Sequence, residues 1–261
     1  MASHGVVCHV DMVGSESMIV YSHLDSEQAD EAIREQTAYF DSLGHTVEWK
    51  VYAHDTPADL HDRLLATGFE SEDEEAIMVL DLDDTPQALL EAPSCSIRRV
   101  HDSEALGEVI AVSDEVWHSD HASLGQRLAF QLRAAPDHLS VYVAYVDGVP
   151  AGTARIEFHE NSTFASHWGG ATLPAYRHRG LYTGLLAVRV QEARRHGARF
   201  LTIDAGPMSR PIVERFGFRV VSHACAHVRR PSSHGVLPDR APLDILIEGL
   251  VRPQAVCADA L

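Results

Sequence analysis

Residues 171–187 constrain the fold more than any other stretch, because they combine the end of a strand, a short turn and the start of a helix. Pro174 stops the extended run, since proline cannot donate a hydrogen bond to a neighbouring strand. Gly180 can adopt backbone angles that are closed to other residues. From Leu181 onward the apolar residues recur at helical spacing. The stretch therefore predicts a strand that turns directly into a helix.

The start of that helix is suited to bind an anion. The first backbone N–H groups of a helix have no partner inside it, and the helix dipole adds partial positive charge there. Arg177, His178 and Arg179 place further donors at the same turn. Two interpretations stay open on these residues alone: a phosphate or diphosphate site, and an ordinary strand-to-helix turn with solvated arginines.

This turn resembles the acyl-CoA diphosphate loop of the GNAT acetyltransferase superfamily. The shared pattern is Arg177-x-x-Gly180-x-Tyr182, placed between a strand and an apolar helix. The loop of that family usually ends in Gly or Ala, so Tyr182 departs from it at the last position. Because tyrosine adopts left-handed backbone angles only at a cost, its N–H must donate from ordinary helical angles.

The order of elements after the turn also resembles that superfamily. A helix, Gly197, a strand, and a short helix ending in Gly217-Phe218 lead to a last strand. The resemblance covers residues 95–230 and implies an α/β fold with a mixed sheet, the GNAT-like acyl-CoA N-acyltransferase fold. We therefore expect a complete GNAT domain at residues 94–232, followed by a tail at 233–261 that contains a helix.

The first 93 residues repeat part of this order without the basic turn. Helix, Gly44, strand, helix, Gly68-Phe69 and strand precede a linker at residues 85–94. Such a repeat predicts a degenerate, non-catalytic GNAT-like half-domain over residues 1–93, packed beside the complete domain and walling its substrate cleft. The alternative stays open that any α/β protein produces helix–glycine–strand units.

The resemblance also implies the contacts of a cofactor. Two parallel strands of that family part beside the turn and hold the pantetheine arm, which here would meet backbone groups of Ala171 and Thr172. The diphosphate would be held by the turn residues Arg177, His178, Arg179, Gly180, Leu181, Tyr182 and Thr183. Acetyl-CoA is the expected co-substrate, and no metal is expected.

Acetyl transfer to an amine needs a proton acceptor for the amine. His167 lies in the strand before the turn, where the family often places a base, and imidazole titrates near neutral pH. Glu157, Asp204 and His159 are the alternatives, beside a route through water and beside an ordinary structural role for His167.

The departing thiolate needs a proton donor, and here the chain differs from the family. Many GNAT enzymes carry a tyrosine four residues before the glycine of the Gly-Phe pair, whereas this chain has Val213, which cannot donate. Ser209, Tyr182 or water would take that role, or acid catalysis is dispensable, or the protein binds CoA without turnover.

These residues lead to one functional prediction and two rivals. The prediction is an N-acetyltransferase that moves the acetyl group of acetyl-CoA to an amine of a small molecule or peptide, by direct attack in a ternary complex. One rival is a non-catalytic acyl-CoA-binding or sensor module, suggested by Val213. The other is an acyltransferase that uses a longer acyl-CoA.

Charge and composition limit the partners. The formal net charge of −17 argues against nucleic acid as the main partner, because a phosphate backbone requires a basic face. The same charge would favour a cationic acceptor, although adaptation to salt or a codon bias also explains an acidic chain with Lys50 as its one lysine.

No apolar run approaches membrane-spanning length, no signal-peptide pattern is present, and no C-x-x-C pair occurs. We expect a cytoplasmic monomer or homodimer with no membrane partner.

Two further patterns are explained better by side-chain packing than by metal binding. His223, Cys225 and His227 alternate and share one strand face, but no fourth zinc ligand is near, so a packed face is favoured over a zinc site. The segment 117–121, Trp-His-Ser-Asp-His, lacks metal-ligand spacing on a helix or a strand.

Overall fold

This computed structural model describes residues 2, 3 and 5–231. The predicted tail at 233–261, its helix at 243–251 and Cys257 lie outside the described residues. Within those described ranges, no helix has both the length and the apolar character needed to cross a bilayer.

The chain up to residue 93, which we call the N-terminal unit, contains strands and helices in alternation. They are β1 (Ala2–Ser3), β2 (Val6–His9), β3 (Glu16–Ser22), α1 (Ala29–Leu43), β4 (Thr46–Tyr52), α2 (Leu60–Ala66), β5 (Glu70–Asp81) and α3 (Gln87–Leu90). Asp25 fixes the entry to α1, because its carboxylate accepts the backbone N–H groups of Glu27 and Gln28 at 3.0 and 2.8 Å.

Residues 94–231, the C-terminal unit, follow the predicted order of elements. They form β6 (Ser96–Arg99), α4 (Ser103–Trp117), α5 (Ala122–Ala134), β7 (Leu139–Val146), β8 (Val149–Phe158), β9 (Phe164–Thr172), α6 (Leu181–Arg195), β10 (Phe200–Ala205), α7 (Arg210–Arg215) and β11 (Arg219–Arg229). The hairpin between β7 and β8 turns at Asp147 and Gly148, whose φ angles of +51° and +82° are those of the Asp-Gly turns that join twisted strands.

All of these strands belong to one mixed sheet. Its order is β1-β2-β3-β4-β11-β5-β10-β9-β8-β7-β6. The pairs β3/β4 and β9/β10 are parallel, and the other neighbours are antiparallel. This arrangement confirms the predicted α/β class with a mixed sheet.

The two units interleave at the centre of that sheet. Strand β5 of the N-terminal unit lies between β10 and β11, and β11 of the C-terminal unit lies between β4 and β5. The last long strand of each unit is therefore inserted between two strands of the other unit, and one continuous sheet contains both units.

The two units also share local backbone geometry. Gly44 after α1 and Gly197 after α6 have φ angles of +69° and +77°, and Gly68 and Gly217, after the short helices, both have +88°. These left-handed angles end each helix in the same manner. Because many helices in other folds end in the same way, the degenerate half-domain at residues 1–93 stays a prediction.

Helices cover both faces of the C-terminal part of the sheet. Along β7, Tyr142 and Ala144 face the core that contains α6, whereas Val141 and Val143 face the core that contains α4 and α5. Alternation along a strand produces these two cores.

Two local features depend on tertiary contacts, and the predicted linker is not a plain loop. The acidic run 70–75 is largely exposed, and it forms the first half of β5, paired with β11. On α5, Leu128 is buried, whereas 48% of the surface of Phe130 is exposed. The linker at 85–94 contains the short helix α3, whose Leu89 is buried against α6.

Candidate functional site

The N-terminus of α6 is open, as the sequence predicts. Gly180 is its N-cap residue with a φ angle of +78°, and no side chain caps the first turn. An added Cβ at Gly180 would meet no atom within 4 Å. Because no side chain closes this end of the helix, its first backbone N–H groups are available to an external acceptor.

A gap between two parallel strands lies beside this turn. The pairing of β9 with β10 ends at His167–Ile203, although β9 continues to Thr172. Past that point β10 pairs only with β5, through Asp204 and Ala205. The backbone of β9 next to Ala171 and Thr172 therefore has no β10 partner, which leaves room for an extended ligand to form strand-like hydrogen bonds.

A bulge in β9 forms the mouth of this gap. The register between β8 and β9 shifts between Thr153 and Arg155, so Gly169 and Gly170 are accommodated opposite one residue. Gly169 has a φ angle of +57°, and an added Cβ there would lie 2.6 Å from Arg155 Nη1. The Gly-Gly pair inside an alternating strand was the sequence signal for this bulge, and our sequence analysis missed it.

The basic side chains of the turn have different surroundings. Arg177 Nε donates to the carbonyl of Thr172 at 3.3 Å, so this arginine braces the turn. The guanidinium of Arg179 lies over the ring of Tyr176, 5.6 Å from its centre. His178 is a non-glycine residue with a φ angle of +62°. Only part of the predicted basic cluster is therefore free to meet an anion.

Tyr182 reaches from the turn towards the bulge. Its ring would lie 3.4 Å from a Cβ at Gly170, and its phenol lies near the hydroxyl of Ser209, which donates to the carbonyl of Gly206 at 3.3 Å. Burial raises the pKa of the Tyr182 phenol. Val213, at the position where the family often has tyrosine, is fully buried in the apolar core. The structure thus brings Tyr182 and Ser209 together across the gap.

His167 faces the α6 side of the sheet. It is 3% exposed, and neither ring nitrogen has a hydrogen-bond partner among the described residues. Burial, and then the nearby Arg189, holds the pKa of His167 well below its usual value, so the ring is neutral. It packs 6.2 Å from the ring of Phe218, in the same core as Ala165.

Glu157 and Asp204 are both held by cations. Arg155 Nε donates to Glu157 at 3.3 Å. Lys50, from the N-terminal unit, pairs with Asp204 and also with Glu75 at 3.0 Å. Burial alone would lower the pKa of Lys50, but the two carboxylates raise it, so the lysine stays charged.

A cavity of about 460 Å³ opens on the other face of the sheet, between α4, α5 and β8. Its wall includes Gly169 of the bulge and Arg155, together with Glu16 and Glu72 of the N-terminal unit. The cavity therefore reaches the mouth of the strand gap. His167 does not line it, because that side chain lies on the opposite face.

His121 lines this cavity with a defined orientation. Its Nδ1 lies 3.0 Å from Asp114 Oδ1 and 3.0 Å from the carbonyl oxygen of Ser119. Because both partners are acceptors, Nδ1 carries the proton, and the lone pair is on Nε2. The sequence pattern at 117–121 did not indicate this pair, because Asp114 lies seven residues before His121, near the end of α4.

Comparison with known proteins identifies the central part of the chain. Residues 102–218 match the model of the acetyltransferase (GNAT) family. No curated protein matches this chain.

Several solved structures share the fold of the whole described chain. A GCN5-related N-acetyltransferase from Kribbella flavida is 19% identical, with a TM-score of 0.63 and coverage of 90% of both chains. One from Sphaerobacter thermophilus is 17% identical, with a TM-score of 0.58 and coverage of 87% of this chain and 76% of the other. A tandem GNAT protein from the clavulanic acid biosynthesis pathway is 16% identical, with a TM-score of 0.53 and coverage of 84% and 77%.

Proposed function

We propose that this protein is an acyltransferase that moves an acetyl group from acetyl-CoA to an amine, because residues 102–218 match the model of the acetyltransferase (GNAT) family and the fold is similar to that of a GCN5-related N-acetyltransferase. The amine belongs to a small molecule or a peptide, and it attacks directly in a ternary complex. The observation that carries the proposal is the uncapped start of α6 beside the unpaired edge of β9.

The residues at the turn fit the acyl donor. The backbone N–H groups of Leu181, Tyr182 and Thr183 open the first turn of α6, where a diphosphate gains both hydrogen bonds and the helix dipole. The edge of β9 beside Ala171 and Thr172 has no strand partner, and only the carbonyl of Thr172 is engaged there, by Arg177, so this edge fits the amide groups of a pantetheine arm. Bound there, the thioester would supply an activated acyl carbon, and the protein would align the amine with it.

His121 is the proton acceptor that the geometry favours. It lines the cavity that reaches the bulge, and Asp114 and Ser119 fix the tautomer with a free Nε2. As the amine nitrogen bonds to the acyl carbon, its proton passes to Nε2. This assignment replaces His167, which is buried on the opposite face, as the leading candidate. Glu157 and Asp204 are engaged with Arg155 and Lys50.

Tyr182 is the proton donor that we propose for the departing thiolate. Burial raises the pKa of the phenol, so it is protonated at neutral pH, and the hydroxyl of Ser209 lies near it. As the carbon–sulfur bond breaks, the phenol proton passes to sulfur. Tyr182 and Ser209 would together take the role of the tyrosine that many GNAT enzymes have at the position of Val213.

Tyr182→Phe is expected to lower kcat by about 100-fold while leaving the KM for acyl-CoA nearly unchanged, because the substitution removes the proton but keeps the ring packing. Steady-state kinetics with a saturating amine measures both constants. Tyr176→Phe, in the same turn, is the matched control and should keep kcat. Equal effects of the two substitutions would contradict the role of Tyr182.

Two measurements on the full chain test the function itself. Calorimetry should detect binding of acetyl-CoA, and a panel of amines should release free CoA thiol. Saturating binding without thiol release for any amine would favour a non-catalytic acyl-CoA module. Tighter competition by longer thioesters than by acetyl-CoA would favour a longer acyl group.

We also propose a cytoplasmic location, a monomer or homodimer, and no nucleic-acid or membrane partner. Cys95 and Cys225 carry free thiols, which suits a reducing compartment. The net charge of −17 disfavours nucleic acid.

A further inference from the structure

We propose that the protein binds one zinc ion through His61, Cys225 and His227. The ligand atoms of these three residues lie within 4.8 Å of one another. They come from both units, since His61 is on α2 and the other two are on β11. Alternation along the strand indicated His223 as the third member of this group, but the structure brings His61 there instead.

The hydrogen bonds of His227 prepare it as a ligand. Its side chain is fully buried, and its Nδ1 lies 3.2 Å from the carbonyl oxygen of Cys225. Since a carbonyl only accepts, Nδ1 carries the proton, and the lone pair of Nε2 points at His61 Nδ1, 2.8 Å away. A metal-binding histidine commonly donates its other N–H to a carbonyl in this manner, which fixes the ring.

Cys225 supplies the sulfur ligand on the same face. Its Sγ lies 3.1 Å from Ser71 Oγ and 3.2 Å from the carbonyl oxygen of Glu72. On metal binding, the thiol proton of Cys225 leaves, the proton of His61 moves from Nδ1 to Nε2 of the same ring, and three bonds to the ion form. The half-exposed thiol and the exposed His61 give the ion a path from solvent.

The donor set selects zinc. Two imidazoles and one thiolate match its preference for nitrogen and sulfur, and tetrahedral coordination sets such ligands roughly 3.3–3.6 Å apart. The present separations, 2.8 Å between the two ring nitrogens and at most 4.8 Å within the cluster, lie on either side of that spacing. Within the described ranges the cluster contains no fourth His, Cys, Asp or Glu, so the fourth position is left for water.

Cobalt(II) alone is the probe, because it replaces zinc and reports a thiolate ligand by a sulfur-to-metal charge-transfer band. We expect the chelator-treated full chain to bind one Co(II) with this band and to release it on addition of Zn(II). Cys225→Ser should abolish the band. His61→Ala, at an exposed position, should weaken Zn(II) binding by at least the roughly 10–100-fold that outer-shell partners cost.

The matched controls are Cys95→Ser, another half-exposed thiol, and His223→Ala, on the same strand but outside the cluster. Both should keep the band and the affinity. Absence of the band in the parent chain would overturn the proposal, and so would its loss in Cys95→Ser or its persistence in Cys225→Ser. Since His61 is exposed, a folded His61→Ala chain with unchanged zinc affinity would overturn it as well.

Discussion

Gly180→Glu is expected to weaken acetyl-CoA binding by about 100-fold or more, because it places a carboxylate where a diphosphate would lie, and like charges brought together cost several kcal/mol. The position has space for the side chain, since no atom lies within 4 Å of an added Cβ. The loss therefore comes from charge and from the left-handed backbone angle. Calorimetric titration with acetyl-CoA measures it.

Gly197→Glu is the matched control for this substitution. Gly197 follows the other end of α6, its φ angle is +77° against +78° for Gly180, and it too has no atom within 4 Å of an added Cβ. Both variants should lose about 1 kcal/mol of stability from backbone strain. Only Gly180→Glu should lose the cofactor. Equal affinity of the two variants for acetyl-CoA would show that the α6 turn does not hold the diphosphate.

His121→Gln is expected to lower kcat by about 10²–10⁴-fold, because glutamine keeps a polar side chain in the cavity but cannot accept the amine proton. The binding of acetyl-CoA should stay unchanged, since His121 lies on the cavity side of the sheet. Asp114→Asn should also lower kcat, because an amide N–H facing Nδ1 favours the tautomer with Nε2 protonated. Single-turnover thiol release measures both effects.

His138→Gln serves as the control for that experiment. His138 also faces a carboxylate, with its Nε2 3.6 Å from Glu160 Oε1, but it does not line the cavity. Its substitution should leave kcat unaltered. Full activity in His121→Gln would return the role of proton acceptor to Glu157, Asp204 or water.

The features that depend on neighbouring residues could be predicted from the sequence. Pro174 and Gly180 set a strand end and a helix start by their own backbone limits. Asp147 and Gly148 fixed a hairpin in the same way. Asp102 caps α4, its carboxylate accepting the N–H of Ala105 at 2.9 Å. The resemblance to the family then supplied the order of the remaining elements.

The features that depend on distant partners could not be predicted. The acidic run 70–75 lacks strand composition, and it is extended only because β11 pairs with it. His121 gains its role from a cavity whose walls come from both units. His61 lies far from Cys225 and His227 in the chain, so strand alternation alone indicated the wrong third residue. In each case contacts between residues distant in the chain determine the conformation or the role, and the local sequence pattern does not contain them.

The interleaved sheet also dictates when the protein can become complete during synthesis. β5 leaves the ribosome before either strand that flanks it, because β10 and β11 are encoded more than a hundred residues later. Until then its acidic half has no partner, and charge keeps that edge from pairing with other nascent chains. The N-terminal unit can therefore complete its sheet only after β10 and β11 have been synthesised.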